Sequence, residues 1–356
     1  MKKTLLLLVQ SLCVLGLTAA AGVALGQSSV TVFGTVDVAV TRLSGTGVSK
    51  TSLSSGGANI NRIGFRGTED LGGGLQAGFW LEAGMDVNTG SGKATGGGLS
   101  FNRRSTVSLL GSFGEVRLGR DDSATFISTY IFDSFANNGV GGSTAFTMLG
   151  IPGAATAAGG APTQLSNSLS YFLPQNLGGF YGQAQLALGE QVSNVANKNQ
   201  GDYMGVRAGY RQGPLHAAFA TGKLKGDVVN NDLTANNLGL SYDFGMAKPS
   251  FLWATEKRGA LKVTALQLGA TVPVGSGFVR AAYSRYDTAN SNVNWNKISL
   301  GYGYNLSQRT MLYSTYARIG NKDGARRSIS VLGMTATGTT LGGGSTGLEV
   351  GIRHFF

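Results

Sequence analysis

The chain has a single cysteine, Cys13. It lies in a segment, Met1 to Gly26, that reads as an export signal. Lys2 and Lys3 precede an apolar stretch from Leu5 to Ala21, and the small residues around Ala24-Leu25-Gly26 suit cleavage. The domain expectation is therefore a signal peptide over 1–26 and one mature unit over 27–356. That unit has no cysteine, which excludes disulfides and thiolate metal sites. It also lacks any run approaching the roughly 20 apolar residues of a membrane helix. Proline is scarce, 6 residues against 57 glycines. The two histidines, His216 and His354, are far apart and fall in no metal-ligand spacing. No glycine-rich loop precedes a helix to cradle phosphate. These absences argue against an enzyme, and neither a cofactor nor a metal is expected. Loss of Lys2 and Lys3 leaves the net charge positive, but the basic residues recur singly and form no patch or arm, so nucleic acid is not an expected partner.

What is present is alternation. Ile298, Leu300, Tyr302 and Tyr304 stand opposite Lys297, Ser299 and Gly301; Leu348, Val350 and Ile352 stand opposite Glu349, Gly351 and Arg353. A period of two marks strands with one apolar and one polar face. Sixteen such segments can be counted, from Val30–Leu43 to Gly347–Phe356. Tight turns such as Asp70-Leu71-Gly72-Gly73-Gly74 alternate with long Gly/Ser/Thr stretches, among them Ser44–Gly57, Asn88–Gly98 and Gly320–Ser345. Short turns at one end and long loops at the other mark an outer-membrane barrel, whose strands carry little net hydrophobicity. An even strand number permits closure without a free sheet edge. Aromatic residues near strand ends, including Tyr210, Tyr242, Phe244 and Phe356, fit membrane-interface girdles.

Asp121 to Leu165 breaks the pattern. It has no Lys, Arg or His, and its charges are Asp121, Asp122 and Asp133. It is rich in glycine and carries Phe126, Tyr130, Phe132, Phe135 and Phe146. Its position after the fifth strand makes it the third long loop, expected to fold into the barrel and narrow a pore.

Gly64-Phe65-Arg66-Gly67-Thr68-Glu69-Asp70-Leu71-Gly72-Gly73-Gly74-Leu75-Gln76-Ala77 resembles the second hairpin of trimeric Gram-negative general porins of the β-proteobacterial type. Val30–Gly34, Phe101-Asn102-Arg103-Arg104, Phe113–Arg120, Asn167–Tyr171 and Gly351–Phe356 resemble the same family in the same order. The resemblance implies an all-β transmembrane antiparallel barrel of sixteen strands in the cell outer membrane, a homotrimer, and a third external loop folded into the lumen. It implies that the terminal Phe356 is read by the barrel-assembly machinery, and that the barrel is set in lipid and lipopolysaccharide. Where the family commonly has Arg in its Asn-Ser-Ile-Arg-Tyr stretch, this chain has Ser170.

Alternation places Arg62, Arg66, Arg104, Arg117, Arg207, Arg280 and Arg353 on the polar parity, with Glu82 and Asp37. Arginine facing lipid near mid-membrane costs about 2–4 kcal/mol, so these side chains should face water. Fixed arginines in a narrow pore favour anions. The expected constriction is Arg62, Arg66, Glu82, Arg104, Arg117, Asp121, Asp122 and Asp133. Asp121 and Asp122 could anchor the base of the loop to wall arginines, and Asp133 is the better placed to face the pore. The expected function is passive diffusion of ions and small hydrophilic solutes with a mild preference for anions. The alternatives are a porin preferring a small organic solute, and a barrel-borne outer-membrane hydrolase.

Overall fold

In the strand Trp295–Asn305, Ile298 and Leu300 are each 55% exposed, whereas Lys297 and Ser299 are buried. The computed structural model, which describes residues 29–149, 160–227 and 231–356, repeats this inversion around the molecule. Apolar side chains face outward, and polar ones face inward. Such a surface suits lipid outside and water inside. The expected signal over 1–26 lies outside the described residues, as do Gly150, Gly153 and Gly159.

The wall strands are β1 Ser29–Gly45, β2 in two segments Val48–Ser55 and Arg62–Gly72, β3 Leu75–Asp86, β4 Arg104–Gly111, β5 Gly114–Asp122, β6 Gln164–Phe172, β7 Phe180–Ala187 and β8 Tyr203–Gln212. They continue as β9 Leu215–Leu224, β10 Leu233–Tyr242, β11 Lys248–Arg258, β12 Leu261–Val274, β13 Gly277–Thr288, β14 Trp295–Asn305, β15 Thr310–Asn321 and β16 Ser345–Phe355. Each pairs antiparallel with its sequence neighbours, and β1 pairs with β16, so the sixteen-stranded sheet closes on itself. At that seam Asp37 faces Arg353 in register. Beyond the last strand, Phe356 exchanges both backbone hydrogen bonds with Gly34, at 3.0 and 3.2 Å. Its ring lies where a Cβ on Gly34 would stand, so only glycine fits there.

One expected loop is a strand. Ser44–Gly57 reads as a Ser/Gly/Thr loop, but Val48–Ser55 runs back along β1 from a turn at Gly47 (φ 70°). A polar strand lacks the two-face contrast that sequence reading depends on. The sheet is interrupted instead at Gly56–Asn61. There the buried Asp37 carboxylate accepts hydrogen bonds from the backbone N–H groups of Gly57, Ala58 and Asn59 and from the Tyr313 hydroxyl. The break is thus built around one acid that replaces the missing ladder partners.

Paired rings at Phe180–Tyr210 and Tyr242–Phe244 sit at the short-turn end, as an interfacial girdle requires.

The region following β5 is not structureless. Ala124–Ile131 forms a helix, α1, capped by Ser123, whose hydroxyl accepts from the Phe126 N–H at 3.1 Å. The helix packs against β8–β10, and the next residues lie against glycines of β10, β12, β14 and β16. Phe132 lies over Gly239, Ser134 over Gly269, Phe135 over Gly301 and Val140 over Gly347, which spaces the backbones closely. The principal buried apolar cluster joins Phe132, Val140, Met148 and Leu149 to Leu252, Tyr286, Trp295, Ile319 and Ile329.

Candidate functional site

The strands β2, β4 and β5 bring their arginines, and β3 its Glu82, onto one stretch of inward wall. Those within strands arrive there through the two-residue period, because their apolar neighbours (Phe79, Val107, Leu118) face outward. Glu82 is the hub. Its Oε1 accepts from Arg62 Nη1 at 3.1 Å and from Arg103 Nε at 2.6 Å, and its Oε2 accepts from Trp80 Nε1 at 3.3 Å. Arg117 forks onto Glu115 at 2.8 and 2.9 Å and donates to Asp121 Oδ2. Arg104 Nε lies 3.7 Å from Asp121 Oδ1 and donates to Thr106 Oγ1 at 3.1 Å. Arg66 is exposed, and among the described residues it has no carboxylate partner; its guanidinium rests 5.1 Å from the Trp80 ring centre and 5.3 Å from that of Phe33.

Arg62 and Arg103 face a cavity of about 520 Å³. Phe126, Tyr130 and Phe146 of the segment after β5 line it, along with Asp122 and, from the last long loop, Ser330, Val331 and Leu332. Burial raises the Tyr130 phenol well above its ordinary range, so this side of the cavity presents a neutral hydroxyl. The wall across it is basic and paired through Glu82; the opposing side is aromatic.

The structure brings together seven of the eight expected site residues, with two adjustments. Asp121 does anchor to wall arginines. Asp122, expected to do the same, instead accepts from Gln164 Nε2 at 2.8 Å and lines the cavity. Asp133 does not face the pore. It is 4% exposed and accepts from the N–H groups of Phe135, Asn137 and Ser143 and from Gln267 Nε2 at 2.6 Å. A buried carboxylate needs donors on all sides, and a turn following a helix supplies them. The opposition to the wall arginines is therefore aromatic rather than acidic in its larger part.

Sequence reading missed Arg103. Alternation assigns one of two adjacent arginines inward, but Arg103 precedes β4, where that rule does not apply. Of the arginines that hold the segment, alternation placed Arg207 and Arg280 on the inward face without showing what they hold, and Arg327 was missed. Arg207 Nε donates to Ser128 Oγ at 3.0 Å, and Arg280 lies over Phe135 at 4.7 Å. Arg327, buried in the last long loop, donates to the Met148 carbonyl at 3.0 Å and lies over the Trp295 ring at 4.2 Å. Burial pushes its guanidinium down to about 10, still above physiological pH.

Ser170, where the resemblance leads one to expect a basic residue, is buried directly opposite Arg117 in the β5–β6 register. Arg117 also covers the Phe172 ring at 4.1 Å. Positive charge on this row thus comes from β5 alone.

A family model described as Gram-negative porin matches residues 12–324. Outer membrane porin protein 32 of Delftia acidovorans is 40% identical over 98% of this chain and 99% of its own length. The solved anion-selective porin from Comamonas acidovorans superposes with a TM-score of 0.82 at 39% identity, covering 92% of this chain and all of that one. The trimer form of OmpT from Vibrio cholerae, at 13% identity and a TM-score of 0.63 over 92% of this chain and 99% of its own, shares the fold.

Proposed function

Because the chain belongs to the Gram-negative porin family, and is thus a passive channel of the outer membrane rather than an enzyme, we propose that its pore is mildly selective for anions and constricted by the segment after β5, through its described residues 123–149 and 160–163. This segment is then the third external loop folded into the lumen. The reading is supported by its contacts with inward-facing side chains from β8 to β16 and by the cavity it shares with Arg62 and Arg103. The constriction comprises Arg62, Arg66, Glu82, Arg104, Arg117, Asp121 and Asp122, with Arg103 added and Asp133 as a support. With Arg103 the pore-facing set carries five guanidiniums against four carboxylates, Glu82, Asp121, Asp122 and Glu115, the partner of Arg117, an excess of base. The solved relative at 39% identity is anion-selective by its own description, which agrees with that sign.

The observation that carries the proposal is the placement of Arg62 and Arg103 on one carboxylate, Glu82, at the large cavity. Glu82 is buried beneath them, so the cavity itself is faced by two guanidiniums and one acid, Asp122, an excess of positive charge where an ion must pass. Zero-current potentials across a planar bilayer in unequal KCl test it. A potential of the sign set by chloride is expected; one set by potassium would overturn the reading.

The remaining expectations belong to the same proposal. Residues 1–26 act as an export signal and are removed. The mature chain forms a homotrimer in lipid and lipopolysaccharide, each subunit a separate pore. Phe356, latched to Gly34, is the residue that the assembly machinery reads. Heat-modifiable migration of an outer-membrane preparation tests the trimer.

A further inference from the structure

The inward wall holds a second recess, on the short-turn side of the large cavity. Arg66 follows Arg62 by four residues, about 13 Å along an extended strand. There β1–β5 enclose a space of about 380 Å³. Its charged lining is Arg66, Arg104, Arg117 and the single acid Glu115, an excess of base. Arg104 and Arg117 are committed, to Thr106 and Asp121 and to Glu115 and Asp121 respectively. Arg66 is not: among the described residues its guanidinium meets only the rings of Trp80 and Phe33. A guanidinium lying over rings keeps its in-plane N–H fork free for a carboxylate. The rings are themselves fixed. Phe33 meets Trp80 edge-on at 5.0 Å, and the Trp80 indole donates to Glu82.

The floor of the recess is Gly78. A Cβ there would meet Leu110 at 3.4 Å, Gly67 O at 3.6 Å and Thr68 at 3.7 Å, all ordinary contacts. With no side chain at Gly78 the floor lies low between Trp80 and Leu110. A free fork beside a partly apolar ledge suits a planar ring bearing one carboxylate.

We propose that this recess is a subsite for monocyclic aromatic carboxylates in transit, the carboxylate on Arg66 and the ring over Gly78 between Trp80 and Leu110. The subsite rests on the anion-channel reading and names a solute class for it. Chloride and acetate carry no ring to lay on the floor and pass without dwelling.

Single-channel recording in planar bilayers tests it, with benzoate against acetate at equal concentration in a chloride background. Benzoate should reduce the open current at concentrations where acetate does not. Gly78→Leu fills the floor without altering charge, and Arg66→Gln removes the fork. Each should raise the benzoate concentration for half-block, relative to the chloride current of the same channel, by roughly tenfold, the size of one good contact. Equal block by benzoate and acetate in the wild type would overturn the subsite. So would undiminished block in either variant that inserts as a channel. The zero-current potential in KCl is read separately, so failure of the anion reading is distinguishable from failure of the subsite.

Discussion

Arg103 and Arg104 are adjacent in the chain, yet their guanidiniums enter different spaces. Arg103 pairs with Glu82 at the large cavity under Tyr130, and Arg104 lies 4.5 Å from the Trp80 ring centre in the recess nearer the short turns. The pore wall is therefore organised in two tiers, with Trp80 and Glu82 between them.

Glu82 sets the charge balance of the upper tier. In Glu82→Gln one negative charge is lost between Arg62 and Arg103. A unit charge in a screened bore changes the energy of a passing ion by about 0.3–0.7 kcal/mol, with opposite sign for chloride and potassium, so the chloride-to-potassium permeability ratio should rise roughly three- to tenfold. Reversal potentials in a KCl gradient check this, and an unchanged ratio would place Glu82 away from the ion path.

Ser170→Arg should raise anion preference and lower conductance, because it adds a second cation to the row of Arg117. It should also destabilise the barrel by about 0.2–1 kcal/mol, since like charges would face each other directly across β5 and β6. The conductance and the unfolding temperature of the barrel report the two effects independently.

Asp133→Asn separates a supporting carboxylate from a pore-lining one. It weakens the acceptor for three N–H groups and Gln267, at a cost of about 1.5–3 kcal/mol for a hydrogen bond to a charged group. Heat stability should fall and current noise should rise, with ion selectivity preserved. A shift in reversal potential as large as that of Glu82→Gln would return Asp133 to the ion path.

Arg327→Met removes the donor to Met148 while keeping bulk over Trp295. Leaving a buried carbonyl short of its partner costs about 1–3 kcal/mol. The segment it braces should loosen, seen as faster proteolysis or deuterium uptake near Met148, with less change at α1, which is held by Ser123 and Arg207 instead.

The barrel was legible because lipid and water make opposite demands on adjacent residues, as at Lys297 and Ile298. The rule is silent where both faces are polar. Hence Val48–Ser55 read as a loop, and Arg103, one residue before its strand, went unassigned. Arg62, Arg104 and Glu82 were reachable, because strand position fixes direction. Asp133 was misplaced because nothing in the spacing of a loop tells which of its acids the turn will enclose. The helix Ala124–Ile131 is short, and its cap, Ser123, is one serine among many.

The pairing of Phe356 with Gly34 has a bearing on how the molecule is made. The cylinder is sealed by contacts between its first and last wall strands, so its seam can form only after both have been made. Contacts of such great sequence separation form slowly. Until β16 is in place the barrel stays open with its apolar outer stripes unburied, and it depends on being shielded from other copies.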